Sequence, residues 1–268
     1  MSDAGGRDGE SGAGERDPAS DASPDDPATV AAAAPEPDPS TADANPVHAV
    51  GVGPGDPAHL TRRAVDLLRN ADAVVGFETV VDVVRDETDA PLLACGYDDE
   101  GETLAAFADR VAGGAAGVAV LMGDPNHSGY QFLGRVEDAV DRPVRVVPGV
   151  SSLQVAASRA RTPMEATTFV TLHKRGPVAA DLARLAGAVG ERHLLVLPRP
   201  YDWMPGDVAA SLCDAGADPA LDALVLERLT HPDERITRTT LGDLAAHAGG
   251  SAPEDSPFSD LSVLAVRR

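Results

Sequence analysis

From Pro46 onward, short apolar runs alternate with stretches in which apolar residues recur at helical spacing, a pattern typical of an α/β fold. The first unit starts with an apolar run from Val47 to Val50, continues through the glycine-rich segment Gly51 to Gly55, and reaches the pair Asp56-Pro57. An acidic cap before a proline is a common helix start. The helical face that follows comprises Leu60, Ala64, Val65 and Leu68. This unit therefore predicts a buried strand, a tight loop and a helix.

The pattern continues as two lobes that meet near residue 148. The N-terminal lobe, residues 46–148, is expected to hold one mostly parallel sheet, whose further strands are Ala73 to Val75, Leu92 to Ala94, Val118 to Leu121 and Val144 to Val147. Its helices are expected at Val80 to Arg85, Leu104 to Val111 and Phe132 to Val140. The C-terminal lobe, residues 149–268, is expected to begin with a helix from Ser152 and to hold the strands Phe169 to Leu172, Leu194 to Leu197, Leu224 to Leu226, Arg235 to Thr239 and Leu261 to Val266.

Residues 1–45 differ from the rest of the chain in composition. They contain 11 acidic and 2 basic residues and almost no large apolar side chain. Such a segment buries too little apolar surface to offset the entropy lost on ordering, so we expect a disordered acidic tail. A partner-binding arm is the alternative, although no motif in the segment specifies a partner.

The charge of the chain argues against nucleic acid or anionic membranes as partners. Its 268 residues include 22 Lys and Arg against 43 Asp and Glu, for a net charge of -21. Lys174 is the sole lysine, a bias expected of a GC-rich genome and a high-salt cytoplasm. At molar salt the Debye length is about 3 Å, so a dense acidic surface repels itself much less than in dilute buffer.

Other composition signals exclude several classes of protein. The two cysteines, Cys95 and Cys213, lie far apart and cannot form a disulfide scaffold or a CxxC metal site. The longest apolar run falls well short of the ~20 residues that a membrane-spanning helix needs. We therefore expect a soluble, cytoplasmic protein with free thiols and without a cysteine-based metal site.

The segment Gly51-Val52-Gly53-Pro54-Gly55 brings backbone close to a ligand after a strand, because glycine has no Cβ to exclude it. A dinucleotide fingerprint, GxGxxG, would require glycine where this chain has Asp56. A carboxylate at that position would repel a pyrophosphate. The segment therefore disfavours a nicotinamide dehydrogenase, and a plain turn remains its simplest alternative.

Two more loops follow apolar strands and should meet the first at one sheet edge, where α/β proteins bind ligands. One contains Gly123-Asp124-Pro125, and the other runs from Val147 through Pro148-Gly149 to Ser152. Ser151 and Ser152 could bind a ligand, but capping of the next helix is the favoured interpretation. Asp124 could face a cation or cap the turn beside Pro125.

The order and spacing of these segments resemble the tetrapyrrole methylase family over roughly residues 47 to 268. The segments that carry the resemblance are Val50 to Pro57 with Leu60-Thr61, Ala71 to Gly76, Gly123 to Pro125, and Pro148 to Ser152. The resemblance implies two α/β lobes with S-adenosyl-L-methionine folded in the cleft between them, S-adenosyl-L-homocysteine as product, a tetrapyrrole substrate of cobalamin or sirohaem biosynthesis, and a homodimer.

Later segments resemble most the branch that methylates carbon 5 of cobalt-precorrin-7. They are Val75 to Phe77 with Val80 to Val84, Thr171 to Gly176, and Glu227 to Ile236. In that branch the ring carbon attacks the sulfonium methyl in line, so alignment of the two centres supplies most of the acceleration. Cobalt would arrive within the substrate, which implies no metal site on the protein.

The resemblance also implies roles for particular residues. Those expected to contact the cofactor, mostly through backbone, are Gly53, Pro54, Gly55, Met122, Gly123, Asp124, His127, Ser151, Ser152, Pro198 and Leu229. After Gly123-Asp124-Pro125 the family usually has an apolar or aromatic pair, whereas this chain has His127-Ser128. An exposed loop histidine is therefore as good an interpretation of His127 as a cofactor contact.

The macrocycle carries many carboxylates, and the cationic cluster expected to hold them is His173, Lys174 and Arg175. A solvated loop is its alternative. His173 is also the candidate general base, although the catalytic residue is unknown from sequence. Arg199 and Arg228 are weaker substrate contacts, since each could pair with an acidic neighbour.

Alternative functions remain open at this point. Another methylase of the family could act at a different ring carbon and keep the same cofactor loops. Diphthine synthase and the ribosomal RNA ribose methylases share the fold, but they fit the late segments less well. A non-catalytic module that senses S-adenosylmethionine or corrinoids would lack turnover.

Overall fold

A computed structural model describes residues 45–174, 176–200, 202–249 and 255–268. The predicted acidic tail lies outside the described residues, apart from Asn45. Within the described part of the chain, no helix combines the length and the apolar character needed to cross a membrane.

The first sheet consists of β1 (Val47–Gly51), β2 (Ala73–Phe77), β3 (Leu92–Cys95), β4 (Gly117–Leu121) and β5 (Val144–Val147). Its order is β3-β2-β4-β1-β5, and these strands pair in parallel, so their carboxyl ends share one edge. Apolar clusters cover both faces: Val47 and Ala49 pack on one side, and Val50 on the other. This two-sided burial explains the continuous apolar runs.

The helices that flank the first sheet are α1 (Arg62–Arg69), α2 (Glu78–Val84), α3 (Glu100–Val111) and α4 (Tyr130–Ala139). The prediction that α3 begins at Leu104 is wrong by one turn. Glu100 and Glu102 form its first turn, where negative charge favours a helix start although the pattern of apolar residues has not yet begun.

The second sheet consists of β6 (Thr167–Thr171), β7 (His193–Leu197), β8 (Asp222–Glu227), β9 (Arg235–Thr240) and β10 (Ser262–Val266), in the order β6-β7-β10-β8-β9. β6 and β7 are parallel, whereas β10 runs antiparallel to β7 and β8. The carboxyl ends of β6, β7 and β8 therefore lie at one edge. β6 begins two residues before the predicted Phe169, because Thr167 and Thr168 already pair with His193 and Leu194.

The helices associated with the second sheet are α5 (Ser152–Ala160), α6 (Ala179–Ala188), α7 (Pro205–Asp214) and α8 (Leu241–Ala245). Leu153 and Val155 of α5 pack with Leu195 and Leu226 of this sheet. The expectation of an α/β fold with two sheets is confirmed. The lobe boundary at residue 148 stays a prediction.

Candidate functional site

Loops that follow β1, β4 and β5 interlock at the carboxyl edge of the first sheet. Gly53 and Gly123 exchange backbone hydrogen bonds, with Gly123 N–H donating to the Gly53 carbonyl at 2.8 Å and the reverse bond at 3.2 Å. Both have positive φ, +82° and +66°, which a glycine adopts without strain. The prediction that these loops meet at one edge agrees with this arrangement.

Close approach of the three loops requires glycine at two further positions. A Cβ at Gly51 would lie 2.6 Å from the Gly123 carbonyl oxygen and 2.7 Å from the Gly149 nitrogen. A Cβ at Gly149 would collide with the same oxygen. The cluster is thus built from backbone, and side chains would force its strands apart.

Asp124 ties the second loop to the third. Its residue is 8% exposed, and its Oδ1 accepts from the backbone N–H and the side-chain amide of Asn126, at 2.9 and 3.0 Å. Its Oδ2 accepts from the backbone N–H of Gly149 at 3.1 Å. Both oxygens are therefore engaged, and the carboxylate caps the π-helical turn Pro125–Gly129. The capping alternative is the one seen.

Ser151 caps α5, as its favoured interpretation expects. Its Oγ accepts from the Leu153 N–H at 3.2 Å, while Gln154 Oε1 accepts from the Ser151 N–H at 2.8 Å. This reciprocal pair is a capping box. Ser152 opens the helix and is half-buried. Ser151 is 2% exposed, so its hydroxyl serves the helix start.

A loop of the second sheet, residues 228–234 between β8 and β9, packs against the first glycine-rich loop. Thr230 Oγ1 accepts from the backbone N–H of Asp56 at 3.1 Å. The imidazole of His231 occupies the space that a side chain at Gly55 would need. These contacts join the β1 loop to the C-terminal half of the chain.

The same loop is strained and is held by an ion pair. Arg228 and Thr230 both have left-handed backbone conformations, with φ of 49° and 72°. Such a conformation is especially unfavourable for threonine, because its side chain is β-branched. Glu234 holds the loop closed, because its carboxylate accepts from Thr230 N–H at 2.8 Å and from Arg159 Nε at 2.7 Å. The hydrogen bond from Arg159 lowers the pKa of Glu234.

The remaining apolar residues predicted for the cofactor pocket offer mainly backbone. Pro54 and Pro198 are buried, and Leu229 is 5% exposed, with its side chain in the cluster that α5 forms with the second sheet. Met122 is half-buried and packs on the apolar cluster beneath the first sheet. Their placement is compatible with the predicted backbone contacts, which stay a prediction.

The predicted cationic cluster lies at the carboxyl end of β6. His173 is exposed to solvent by surface area, but the atoms around its imidazole desolvate it and lower its pKa. The charge of Asp260 and a hydrogen bond with the Pro198 backbone oppose this shift without reversing it. Lys174 is half-buried and pairs with Asp181 of α6, with 2.6 Å between Nζ and Oδ2. Arg175 lies outside the described residues.

A cavity of about 260 Å³ lies between the loop after β4 and the β6–α6 region. Residues from both halves of the chain line it: Asn126, His127, Tyr130, Leu153, Phe169, Val170, Thr171, Lys174, Asp181 and Arg184. This volume is slightly below the ~300 to 1,000 Å³ typical of small-molecule sites. The cavity brings together His127 and Lys174, which the sequence assigned to different ligands.

His127 is half-buried and lies in the π-helical turn Pro125–Gly129. Its Nδ1 is buried and has no hydrogen-bond partner among the described residues. A buried nitrogen without a partner costs free energy, so a ligand atom at this point would be favoured. Its role in cofactor binding stays a prediction.

Arg199 and Arg228 each pair with an acidic neighbour, as their alternative interpretation expects. Arg199 makes two bonds to Asp202, at 2.7 and 2.6 Å, and Arg228 lies 2.5 Å from Asp233. Arg199 also donates to the carbonyls of Lys174 and Gly176, at 3.2 and 2.8 Å. It therefore orders the loop that carries the cationic cluster.

Comparison with known protein families shows the family to which this chain belongs. The family of tetrapyrrole (corrin/porphyrin) methylases matches residues 46–245. This chain belongs to the tetrapyrrole methylase family. Members of the family use S-adenosylmethionine, in agreement with the cofactor expected from the sequence, and act on tetrapyrroles of cobalamin or sirohaem biosynthesis.

Similar proteins differ in the activity that their names give. A protein of Methanocaldococcus jannaschii, described as a probable cobalt-precorrin-7 C(5)-methyltransferase, is 26% identical over 199 residues, which cover 74% of this chain and 91% of that protein. A sirohaem synthase of Gluconacetobacter diazotrophicus is 31% identical over 223 residues, covering 75% of this chain and 47% of that protein. This chain thus spans about half of the second relative.

A solved uroporphyrin-III C-methyl transferase of Thermus thermophilus, complexed with S-adenosyl homocysteine, has the same fold. The TM-score is 0.63 at 24% identity, and the match covers 83% of this chain and 97% of that one.

Several residues of the candidate site are not predicted from the sequence. Asp181 and Arg184 lie on a helix that was not predicted, and Asp181 is seven positions from its partner Lys174. Their i,i+3 spacing was the available signal. Thr230 and Glu234 act across the fold, on Asp56 and Arg159, and no local pattern reveals such partners.

Proposed function

We propose that this tetrapyrrole methylase transfers a methyl group from S-adenosylmethionine to carbon 5 of cobalt-precorrin-7. The observation that carries the proposal is the convergence of the three glycine-containing loops beside a cavity that both halves of the chain line. The choice of carbon 5 rests on the resemblance of the late segments and on the relative from M. jannaschii, which matches over nearly its whole length.

The loops suit a cationic cofactor better than a dinucleotide. Asp56 Oδ1 accepts from Ala58 N–H at 2.8 Å and so places a carboxylate at the helical turn after Gly55, where a pyrophosphate would be repelled. Gly123 leaves room for a ligand, since a Cβ there would lie 3.9 Å or more from its neighbours. A sulfonium and an amino group would be attracted to this acidic surrounding.

The proposed cofactor contacts come from the glycine-rich loops and from the ends of β4, β7 and β8. The residues that would make them are Gly53, Pro54, Gly55, Met122, Gly123, Asp124, His127, Ser151, Ser152, Pro198 and Leu229. Most would contribute backbone N–H and carbonyl groups. Asp124 would act indirectly, by holding the second and third loops together through Asn126 and Gly149.

When bound, S-adenosylmethionine supplies a methyl group on a positively charged sulfur, which is already a good leaving group. The chain's own task is therefore to hold the two reacting centres in line and to exclude water. Rigid loops meet this need, because the backbone packing around Gly51 and Gly149 leaves little freedom. His173 is the proposed proton acceptor, since its lowered pKa keeps the imidazole neutral near pH 7.

The proposed substrate contacts are His173, Lys174 and Arg175, which would hold carboxylates of the macrocycle. Lys174 faces the cavity and is 22% exposed, so a ligand can reach it despite its bond to Asp181. In a chain of net charge -21, such local cations would be needed to retain a polyanion.

Further parts of the proposal rest on sequence alone. The division into lobes at 46–148 and 149–268 and a homodimer follow the family resemblance. A cytoplasmic enzyme of a halophilic archaeon, without nucleic-acid or membrane partners, follows the charge and the single lysine. No group of three or more potential metal ligands occurs among the described residues, and the expected absence of a protein metal site stays a prediction.

The test is a methyl-transfer assay with full-length protein, ¹³C-methyl S-adenosylmethionine and cobalt-precorrin-7 in multimolar KCl. NMR of the product should locate the label on carbon 5. A label on another carbon would overturn the regiochemistry and keep the methylase assignment, whereas binding without transfer would favour a sensing module.

A second candidate substrate is uroporphyrinogen III, because a uroporphyrinogen-III C-methyltransferase of Paracoccus denitrificans is 29% identical to this chain over 217 residues. Methylation of uroporphyrinogen III in preference to cobalt-precorrin-7 would favour that activity.

A further inference from the structure

The β6–α6 wall of the cavity carries an unusual arrangement of charge. Lys174 Nζ lies 2.6 Å from Asp181 Oδ2, and an Arg184 guanidinium nitrogen lies 3.4 Å from the other carboxylate oxygen. Among the described residues that line the cavity, Asp181 carries the only negative charge. A lysine and an arginine thus share one carboxylate, which leaves an excess positive charge facing the cavity in a strongly acidic chain.

The two cations differ in how firmly they are held. The side chains of Lys174 and Asp181 are 22% and 13% exposed, whereas that of Arg184 is 58% exposed and its bond to Asp181 is long. Arg184 can therefore turn to a second carboxylate without breaking a buried pair. Its planar fork of donors suits a carboxylate better than an ammonium does.

The rest of the cavity complements an apolar ligand with acidic arms. Leu153, Phe169 and Val170 give it an apolar side, while Asn126 and Thr171 supply hydrogen-bonding groups. At about 260 Å³ it accommodates an acid-bearing arm and an adjoining ring edge rather than a whole macrocycle. Asn126 is tethered to Asp124, so an arm bound here would lie next to the glycine loops.

We propose that Arg184 and Lys174 form a carboxylate-binding subsite that anchors one acidic arm of the substrate, and that the Asp181 carboxylate competes with that arm for the two cations. The proposal deepens the proposed function and rests on it. It assigns substrate recognition to a helix residue, Arg184, beyond the loop cluster at 173–175.

The experiment uses uroporphyrin III, an octacarboxylate, as a fluorescent probe of full-length protein at the lowest KCl concentration that keeps it folded. Arg184→Ala should weaken uroporphyrin binding about five- to tenfold, as expected for loss of one charge-assisted contact near the surface. The matched control is Arg85→Ala. Arg85 is 59% exposed and also bonds an aspartate three positions away, but it lies outside the cavity, so the control should bind like the unaltered protein.

Asp181→Asn supplies a test of opposite sign. Removing the competing carboxylate should tighten uroporphyrin binding severalfold, whereas a purely structural role of Asp181 predicts weaker binding. S-adenosylhomocysteine affinity, measured in parallel, should stay within about twofold in each variant.

The subsite would be overturned if Arg184→Ala bound uroporphyrin as tightly as the unaltered protein, or if Arg85→Ala lost as much affinity as Arg184→Ala. Weaker binding by Asp181→Asn, or no uroporphyrin binding by the unaltered protein, would also overturn it. If S-adenosylhomocysteine still binds in those cases, the proposed function stands. Failure of the unaltered protein to bind S-adenosylhomocysteine would instead overturn the proposed function.

Discussion

Replacement of Gly149 by alanine perturbs the point where the three loops meet. A Cβ at this position would collide with the Gly123 carbonyl oxygen and lie 2.7 Å from both the carbonyl carbon and the oxygen of Gly51. Ordinary contact begins near 3.4 Å, so the Gly51 backbone would have to retreat by about 0.7 Å and the Gly123 carbonyl oxygen by more. These atoms belong to the ends of adjacent strands and cannot rotate away as a flexible side chain would.

The expected cost of Gly149→Ala follows from this geometry. Overpacking of a close-packed site typically costs ~1 to 3 kcal/mol, and the upper end applies because the obstacles are backbone atoms. A loss of about 3 kcal/mol corresponds to a melting temperature lower by roughly 6 to 12 °C for a domain of this size. Displacement of the loops by a fraction of an ångström should also slow methyl transfer, by up to ~100-fold.

The assay is thermal denaturation in multimolar KCl, combined with calorimetric titration with S-adenosylhomocysteine. The matched control is Gly187→Ala, at a position in α6 where a Cβ would meet nothing within 4 Å. Alanine in a helix is more favourable than glycine by ~0.5 to 1 kcal/mol, so this control should melt slightly higher and bind normally. If Gly149→Ala melts and binds like the unaltered protein, close backbone contact does not lock these loops.

Other predictions concern the polar groups of the site. Asp124→Asn should lower stability by ~1 to 3 kcal/mol in thermal denaturation. The carboxylate accepts hydrogen bonds on both oxygens, from Asn126 and from the Gly149 N–H, whereas an amide has only one oxygen that can accept. The hydrogen bond from Arg159 lowers the pKa of Glu234, so its stabilising contribution is complete above about pH 4.5 and is lost as pH falls through the lowered pKa. Glu234→Gln should therefore flatten the acid side of the stability curve, measured by melting between pH 7 and 3. Burial lowers the pKa of His173, so as pH falls the imidazole is protonated in the unfolded chain before it is protonated in the folded protein. Protonation therefore favours unfolding, and the stability of the protein falls as pH drops through 6.5. His173→Gln should reduce the loss of stability between pH 7 and 5, and an unchanged slope would contradict the lowered pKa.

Much of the first sheet could be predicted from sequence because both of its faces are buried. Val47 to Val50 and Val118 to Leu121 are almost fully apolar, and the structure buries them within both flanking clusters. The glycine loops were predictable for a related reason. Gly51 and Gly149 are needed where backbone meets backbone, and glycine is visible in sequence.

The capping roles could also be predicted, since they depend on residues two or three positions apart. Ser151 with Gln154 forms a capping box, and Asp124 caps a turn that starts at Pro125. The sequence could not show that Asp124 also bonds Gly149, because that partner comes from another strand end.

The parts that escaped prediction depend on contacts between distant segments. Whether Lys174 is a free cation or half of an ion pair depends on where α6 packs against β6, which no local pattern encodes. The left-handed Thr230 was equally hidden. Its conformation is disfavoured locally and is held by Glu234 and by the backbone of Asp56.

The most direct test of the account is calorimetric titration of full-length protein with S-adenosylhomocysteine, with NADH in parallel, in low and multimolar KCl. The account predicts saturable binding of S-adenosylhomocysteine with one site per chain, and no saturable binding of NADH. The assignment of the glycine-loop cluster as a methyl-donor site would be contradicted if folded protein bound no S-adenosylhomocysteine at both salt concentrations. Saturable binding of NADH would also contradict it.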